Sequence, residues 1–128
     1  PLMPSIKYDI NIERGADWVR TFTLKNATTL VPFDLTGCMV RMHIREEVDS
    51  VATLDILTTE NGRIELVNRD NPLGGVVLGG IKIMFPNAIS TAYIWTDPAV
   101  YQLEIVYPSG TVERRLHGSV ILSPEVTR

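Results

Sequence analysis

The chain has 128 residues, 45% of them hydrophobic and 21% charged, which fits one globular domain able to bury a single core. Twelve Lys and Arg against fifteen Asp and Glu leave a net charge of −3, which excludes a nucleic-acid module working through a broadly basic surface. The single cysteine, Cys38, excludes an intramolecular disulfide framework and a multi-cysteine zinc site, and neither a membrane-spanning apolar run nor a signal-peptide pattern is visible.

The dominant hydrophobic period is two, the period of a strand with one buried face. Tyr8, Ile10 and Ile12 share an inward phase, and Glu13-Arg14-Gly15 closes that run. Trp18, Phe22 and Leu24 form the next set, interrupted by Arg20, and the turn-forming Asp34-Leu35-Thr36-Gly37 follows. From Cys38 to Arg45 the alternation is clean. Cys38, Val40, Met42 and Ile44 are predicted inside, with Arg41, His43 and Arg45 in water. Ala52, Leu54 and Ile56 are predicted inward, and Glu60-Asn61-Gly62 makes a tight turn before Ile64 and Leu66. Ile81, Ile83 and Phe85 form a further inward set.

Pro86 to Trp95 breaks the pattern. Ile89, Ala92 and Tyr93 fall at helical spacing, which predicts one short helix or a pair of helical turns plugging one end, stopped by Asp97-Pro98. Tyr101, Leu103, Ile105 and Tyr107 then alternate, Pro108-Ser109-Gly110 turns a hairpin, and Val112, Leu116, Val120 and Leu122 are assigned to one face of a long last strand. Seven or eight short strands at this spacing predict an all-β sandwich or a flattened barrel. Residues 1–5 and 123–128 carry prolines without periodicity and are expected to be flexible tails or arms held by a neighbour, flanking a single domain over 1–128.

No constellation supports catalysis. Leu73-Gly74-Gly75-Val76-Val77-Leu78-Gly79-Gly80 has neither the spacing of a phosphate loop nor a following helix, so turns and a bulge between strands are expected. His43 and His117 lack a matched third ligand, Cys38 sits on an apolar face away from any base, and no serine lies in a nucleophile elbow. Arg41, His43 and Arg45 are expected to meet Glu104 or Glu113 across strands, or acids on a partner. Most aromatic residues fall on inward phases. Trp95, beside the helix end, stays open as a sugar-stacking or partner-facing residue.

A succession of short phrases resembles small structural proteins of tailed phages and prophages. These phrases are Ile10-Asn11-Ile12-Glu13-Arg14-Gly15, Arg20-Thr21-Phe22-Thr23-Leu24-Lys25, Phe33-Asp34-Leu35-Thr36-Gly37 running into Val40–Arg45, Thr59-Glu60-Asn61-Gly62, Tyr101-Gln102-Leu103-Glu104 and Pro108-Ser109-Gly110-Thr111. The Asp34–Gly37 turn entering an alternating strand is similar to the N-terminal domain of baseplate upper proteins in lactococcal-type phages. The resemblance implies an immunoglobulin-like antiparallel sandwich of seven to eight strands with one short helix. It implies a non-enzymatic part of the virion, an adaptor or decoration at the tail, baseplate or fibre attachment, with no cofactor and no metal. Capsid or collar decoration and a carbohydrate-binding module that aids host adhesion are the alternatives. The expected partners are other virion proteins and further copies of the chain, not nucleic acid or membrane, with the protein in the host cytoplasm during assembly and then in the virion. The residues expected to touch partners are Arg41, His43, Arg45, Leu73, Val76, Trp95, Glu125, Val126 and Arg128.

Overall fold

A computed structural model describes residues 5–26 and 28–124. The chain is an all-β sandwich with one short helix. Its strands are β1 (Ile6–Lys7), β2 (Ile10–Glu13), β3 (Trp18–Thr23), β4 (Met39–Arg45), β5 (Asp55–Thr58), β6 (Ile64–Asp70), β7 (Val76–Phe85), β8 (Ala99–Val106) and β9 (Val112–Ser123), with helix α1 (Asn87–Ser90) between β7 and β8. One sheet runs β1-β9-β8-β4-β5, with β2 also on β9, and the other runs β3-β7-β6.

The core lies between the sheets. Val40, Met42 and Ile44 from β4, Leu103 and Ile105 from β8, and Ile83 and Phe85 from β7 are all fully buried. Edge-to-face aromatic pairs, Trp18 on Phe85 and Phe85 on Tyr93, carry that packing to the helical end. Pro86 cannot cap α1 with its side chain, so Asp17 does so from the β2–β3 loop, accepting from the Asn87 N–H at 2.6 Å. The buried Ser90 hydroxyl accepts from the Gly15 N–H, which clasps the same loop to the helix. The helical segment is the one short helix that the spacing predicts, a single turn followed by an irregular passage to Trp95.

Four expectations are corrected. The sandwich is not wholly antiparallel, because β1 and β2 both pair with β9 in parallel. These two strands hug the same edge, and the break between them falls where Gly118 of β9 approaches the Tyr8 carbonyl too closely for any Cβ. In the segment from Ala52 to Ile56 the assigned phase is off by one. Leu57 is buried opposite Met42, while Ile56 faces out opposite His43. Val112 also faces out. A bulge at Arg115 inserts one residue between the pairs Glu104–Arg114 and Leu103–Leu116, so the two halves of β9 have opposite parity. Finally, Ser123 belongs to β9 and pairs with Glu13, and Ser5 bonds His117, so these two residues, assigned to the tails, are held by the sheet. The expectations for residues 1–4 and 125–128 lie outside the described residues.

The glycine-rich stretch is the β6–β7 hairpin, with a bulge between Val67 and Arg69 as expected. Gly79 has a separate reason. A Cβ there would stand 2.7 Å from the Phe33 carbonyl oxygen, where the segment before Cys38 crosses the strand.

Candidate functional site

The outward face of β4, β8 and β9 carries three cross-strand rows. Arg41, Glu104 and Arg114 form the first; His43, Gln102 and His117 the second; Arg45, Val100 and Ser119 the third. Alternation on β4 and β8 puts these residues outward because their even-numbered and odd-numbered neighbours, respectively, fill the core. The same alternation fails for β9. An unbulged hairpin would set Leu116 opposite Gln102 and turn His117 inward. The extra residue at Arg115 delivers His117 to the outer face and returns Leu116 to the core.

Between these rows lies an open groove of about 480 Å³, lined by Arg41, His43, Arg45, Glu104, Arg114 and His117 among others. Both histidines of the chain are here, with three arginines against one carboxylate, in a protein whose net charge is −3. Arg41 donates through Nε to Glu104 at 3.0 Å. Arg45 is held by the carbonyls of Ser50 and Val51, and it also reaches His43 Nδ1 at 3.5 Å. Burial, then Arg45 and Arg41, push the His43 imidazole below its ordinary pKa, against a smaller upward pull from Glu104. His117 Nδ1 lies 2.7 Å from the Ser5 hydroxyl. Arg114 is exposed and makes no hydrogen bond to another described residue.

At one end the groove meets a second depression through the shared residues Val48 and Val100. That depression, about 680 Å³, is lined by Leu54, Ile94, Trp95 and Pro98, with Glu46, Glu47 and Asp97 on it. Ile94 is 83% and Val48 73% exposed, so apolar side chains continue the polar face into water. Trp95 is partly committed, with one ring face on Tyr93 and its edge toward the depression. Its ring lies 4.3 Å from that of Tyr93 and its indole N–H points to the Val120 carbonyl at 3.4 Å.

Of the predicted contact residues, Arg41, His43 and Arg45 come together in the groove, with the predicted ion pair to Glu104 formed and Trp95 in the adjoining depression. Glu113 does not join them. It faces inward and pairs with Arg115 at 3.1 Å. Leu73 and Val76 are exposed at the β6–β7 hairpin, on the other sheet. Glu125, Val126 and Arg128 lie outside the described residues. Sequence reasoning missed Arg114 and Gln102 as partners of the basic row, and the outward, solvated or interface reading of His117 did not place it beside that row. Counting back from the Pro108–Gly110 turn places Glu104 opposite Arg114, but only the bulge brings Gln102 opposite His117.

Cys38 is buried and its thiol pKa is raised by that burial, with Asp34 adding to the shift, which suits a small core residue better than a nucleophile. Among the described residues no group of three metal-ligating side chains is present, and no helix is long and apolar enough to cross a membrane.

Neither a family model nor a curated protein matches the chain. Among solved structures it is similar to the inferred receptor-binding domain of the human endogenous retrovirus envelope EnvP(b)1. That likeness has a TM-score of 0.46 at 10% identity, covering 95% of this chain and 92% of that one.

Proposed function

We propose that this chain is a non-enzymatic structural protein of a tailed-phage virion, an adaptor or decoration that works by protein–protein contacts. The observation that carries the contact reading is the strip formed by the basic groove and the apolar depression, joined through Val48 and Val100. A flat sheet face combining arginines, imidazoles and exposed aliphatic side chains has the composition of a recognition surface. The virion placement is supported by the order of sequence phrases from Ile10 to Gly110, which resembles phage baseplate components. The partial commitment of Trp95 favours protein contacts over sugar stacking.

The test is mass spectrometry of purified particles made from the parent genome, followed by gold-labelled antibody microscopy. Recovery in a fixed ratio to the other virion proteins, with label at one place on the particle, is the expected result. A protein abundant in infected-cell lysate but missing from particles overturns the virion placement.

A further inference from the structure

We propose that the groove across β4, β8 and β9 binds an extended acidic segment of a partner protein, its carboxylates seated on the arginine and histidine rows. This rests on the reading of that face as a contact surface and names the chemistry of its partner.

Geometry favours an extended peptide. Arg41, His43 and Arg45 alternate on one strand, so their rows repeat every two residues, a spacing of about 7 Å. A partner segment lying along β4 in extended form presents every second side chain at the same repeat, so acids at alternate positions fall in step with the rows. Across the strands, Arg41 and Arg114 stand two strand spacings apart, about 10 Å, with Glu104 between them. Glu104 already takes Arg41 there, so the free positive charge that a ligand carboxylate meets in this row is Arg114.

The arginines are prepared unequally. Arg45 is anchored by two backbone carbonyls and Arg41 by Glu104, so little ordering remains on binding. Arg114 is exposed without a described partner, and it is the residue a ligand would engage afresh. A polynucleotide fits less well. The walls beyond the arginines are Val48 and Val100 rather than stacking aromatics, and the whole molecule is acidic.

His43 adds a dependence on pH. His43 faces Arg41 and Arg45 on its own strand, Gln102 and Glu104 on β8, and Ile56 on β5. His117 faces Gln102 on β8, Ser5 and Lys7 on the N-terminal side, and Arg114 along β9, with Asp9 bonded to the neighbouring Ser119 N–H. With its pKa depressed by burial and two arginines, His43 is largely neutral at neutral pH. A ligand carboxylate in the groove pulls the imidazole toward its charged form, so binding takes up protons and strengthens as pH falls, while Glu and Asp side chains of the ligand stay ionised above about pH 5.

The experiment uses a fluorescein-labelled octapeptide of alternating Glu and Thr, titrated with the full chain by fluorescence polarisation. The expected result is saturable binding that weakens with added salt and tightens about three-fold or more between about pH 7.5 and about pH 5.5. Arg114→Glu is expected to weaken it about ten-fold or more, with Arg114→Gln intermediate. Lys82→Glu, the same charge change on the other sheet, leaves affinity within about two-fold. No binding at about pH 5.5 and low salt overturns the proposal. So does equal binding by Arg114→Glu in folded protein, or equal binding of an alternating Lys and Thr octapeptide. Tighter binding of an eight-nucleotide oligothymidylate replaces the acidic segment with a polyanion and also overturns it. The titration needs no particle, so its failure is distinct from absence of the protein from virions.

Discussion

Two arginine–carboxylate pairs in this molecule have the same N–O distance, 3.0 Å, and opposite uses. Arg63 pairs with Asp55 with side chains only 12% and 18% exposed, whereas those of Arg41 and Glu104 are 46% and 34% exposed. Around Arg63 the donors are spent. Its Nε donates to the Met84 carbonyl at 3.1 Å, its terminal nitrogens reach Asp55 and the Tyr93 hydroxyl, and its guanidinium stacks over Phe85. Tyr93 in turn donates to Asp55, so the cluster ties β5, the β6–β7 pair and the passage after α1 into one unit. Arg41 spends a single donor group. The distance of an ion pair does not tell its role; the number of donors left over and their access to water do.

The comparison breaks first at Asp55. Asp55→Ala leaves a mostly buried guanidinium and a phenol without their acceptor and is expected to cost about 3 kcal/mol, read as a fall of about 10 °C in Tm by circular dichroism. A loss below about 1 kcal/mol would place the Arg63 cluster in the same class as the surface pair. Arg63→Lys keeps the charge but loses the fork that reaches Met84 and Asp55 together, and about 1–2 kcal/mol is expected in urea unfolding. At the open face, Arg41→Ala is expected to cost about 0.5 kcal/mol or less, a cost that shrinks further in high salt, while the Asp55→Ala cost stays nearly constant.

The smallest effect is a pH dependence. The folded pKa of His43 lies below the ordinary value, so above about pH 7 both folded and unfolded states carry it neutral and it contributes no slope. As pH falls through the ordinary value toward the depressed one, the unfolded chain binds the proton first and stability declines. His43→Gln is expected to remove a few tenths of a kcal/mol of that decline, measured as urea midpoints at about pH 7.5 and about pH 5.5. Saturating acidic octapeptide reverses the sign, since the occupied groove favours the charged imidazole.

The parts of the fold legible in sequence are those in which local alternation and long-range pairing agree. From Cys38 to Arg45 and from Tyr101 to Ile105 nothing interrupts the period of two, and every inward assignment is buried. The strand at Asp55–Thr58 was misphased because its position depends on Asn61, whose side chain accepts from the Thr58 and Arg63 N–H groups and donates to the Ile56 carbonyl. Apolar residues at 52, 54 and 56 carry no trace of that clamp. The parallel pairings of β1 and β2 are equally silent, since they join residues more than a hundred positions apart. For the site, the β4 side of the groove was legible and the β9 side was not, because Arg114 and His117 reach one face only across the bulge.

That bulge makes β9 a strand with two reading frames. Arg115 is its one residue of slack: deleting it closes the bulge, makes Arg114 and Leu116 neighbours in a regular ladder and leaves both halves on their present faces. After that deletion Leu116 still meets Leu103 in the core and His117 still meets Gln102 on the outer face. The groove keeps its second imidazole through a one-residue loss at Arg115, whereas a one-residue loss within the unbulged β4 exchanges the inner and outer sets of one of its halves. Among related chains, the segment between Gly110 and Gly118 is therefore expected to tolerate the loss of one residue with its outward pattern kept, where β4 is not.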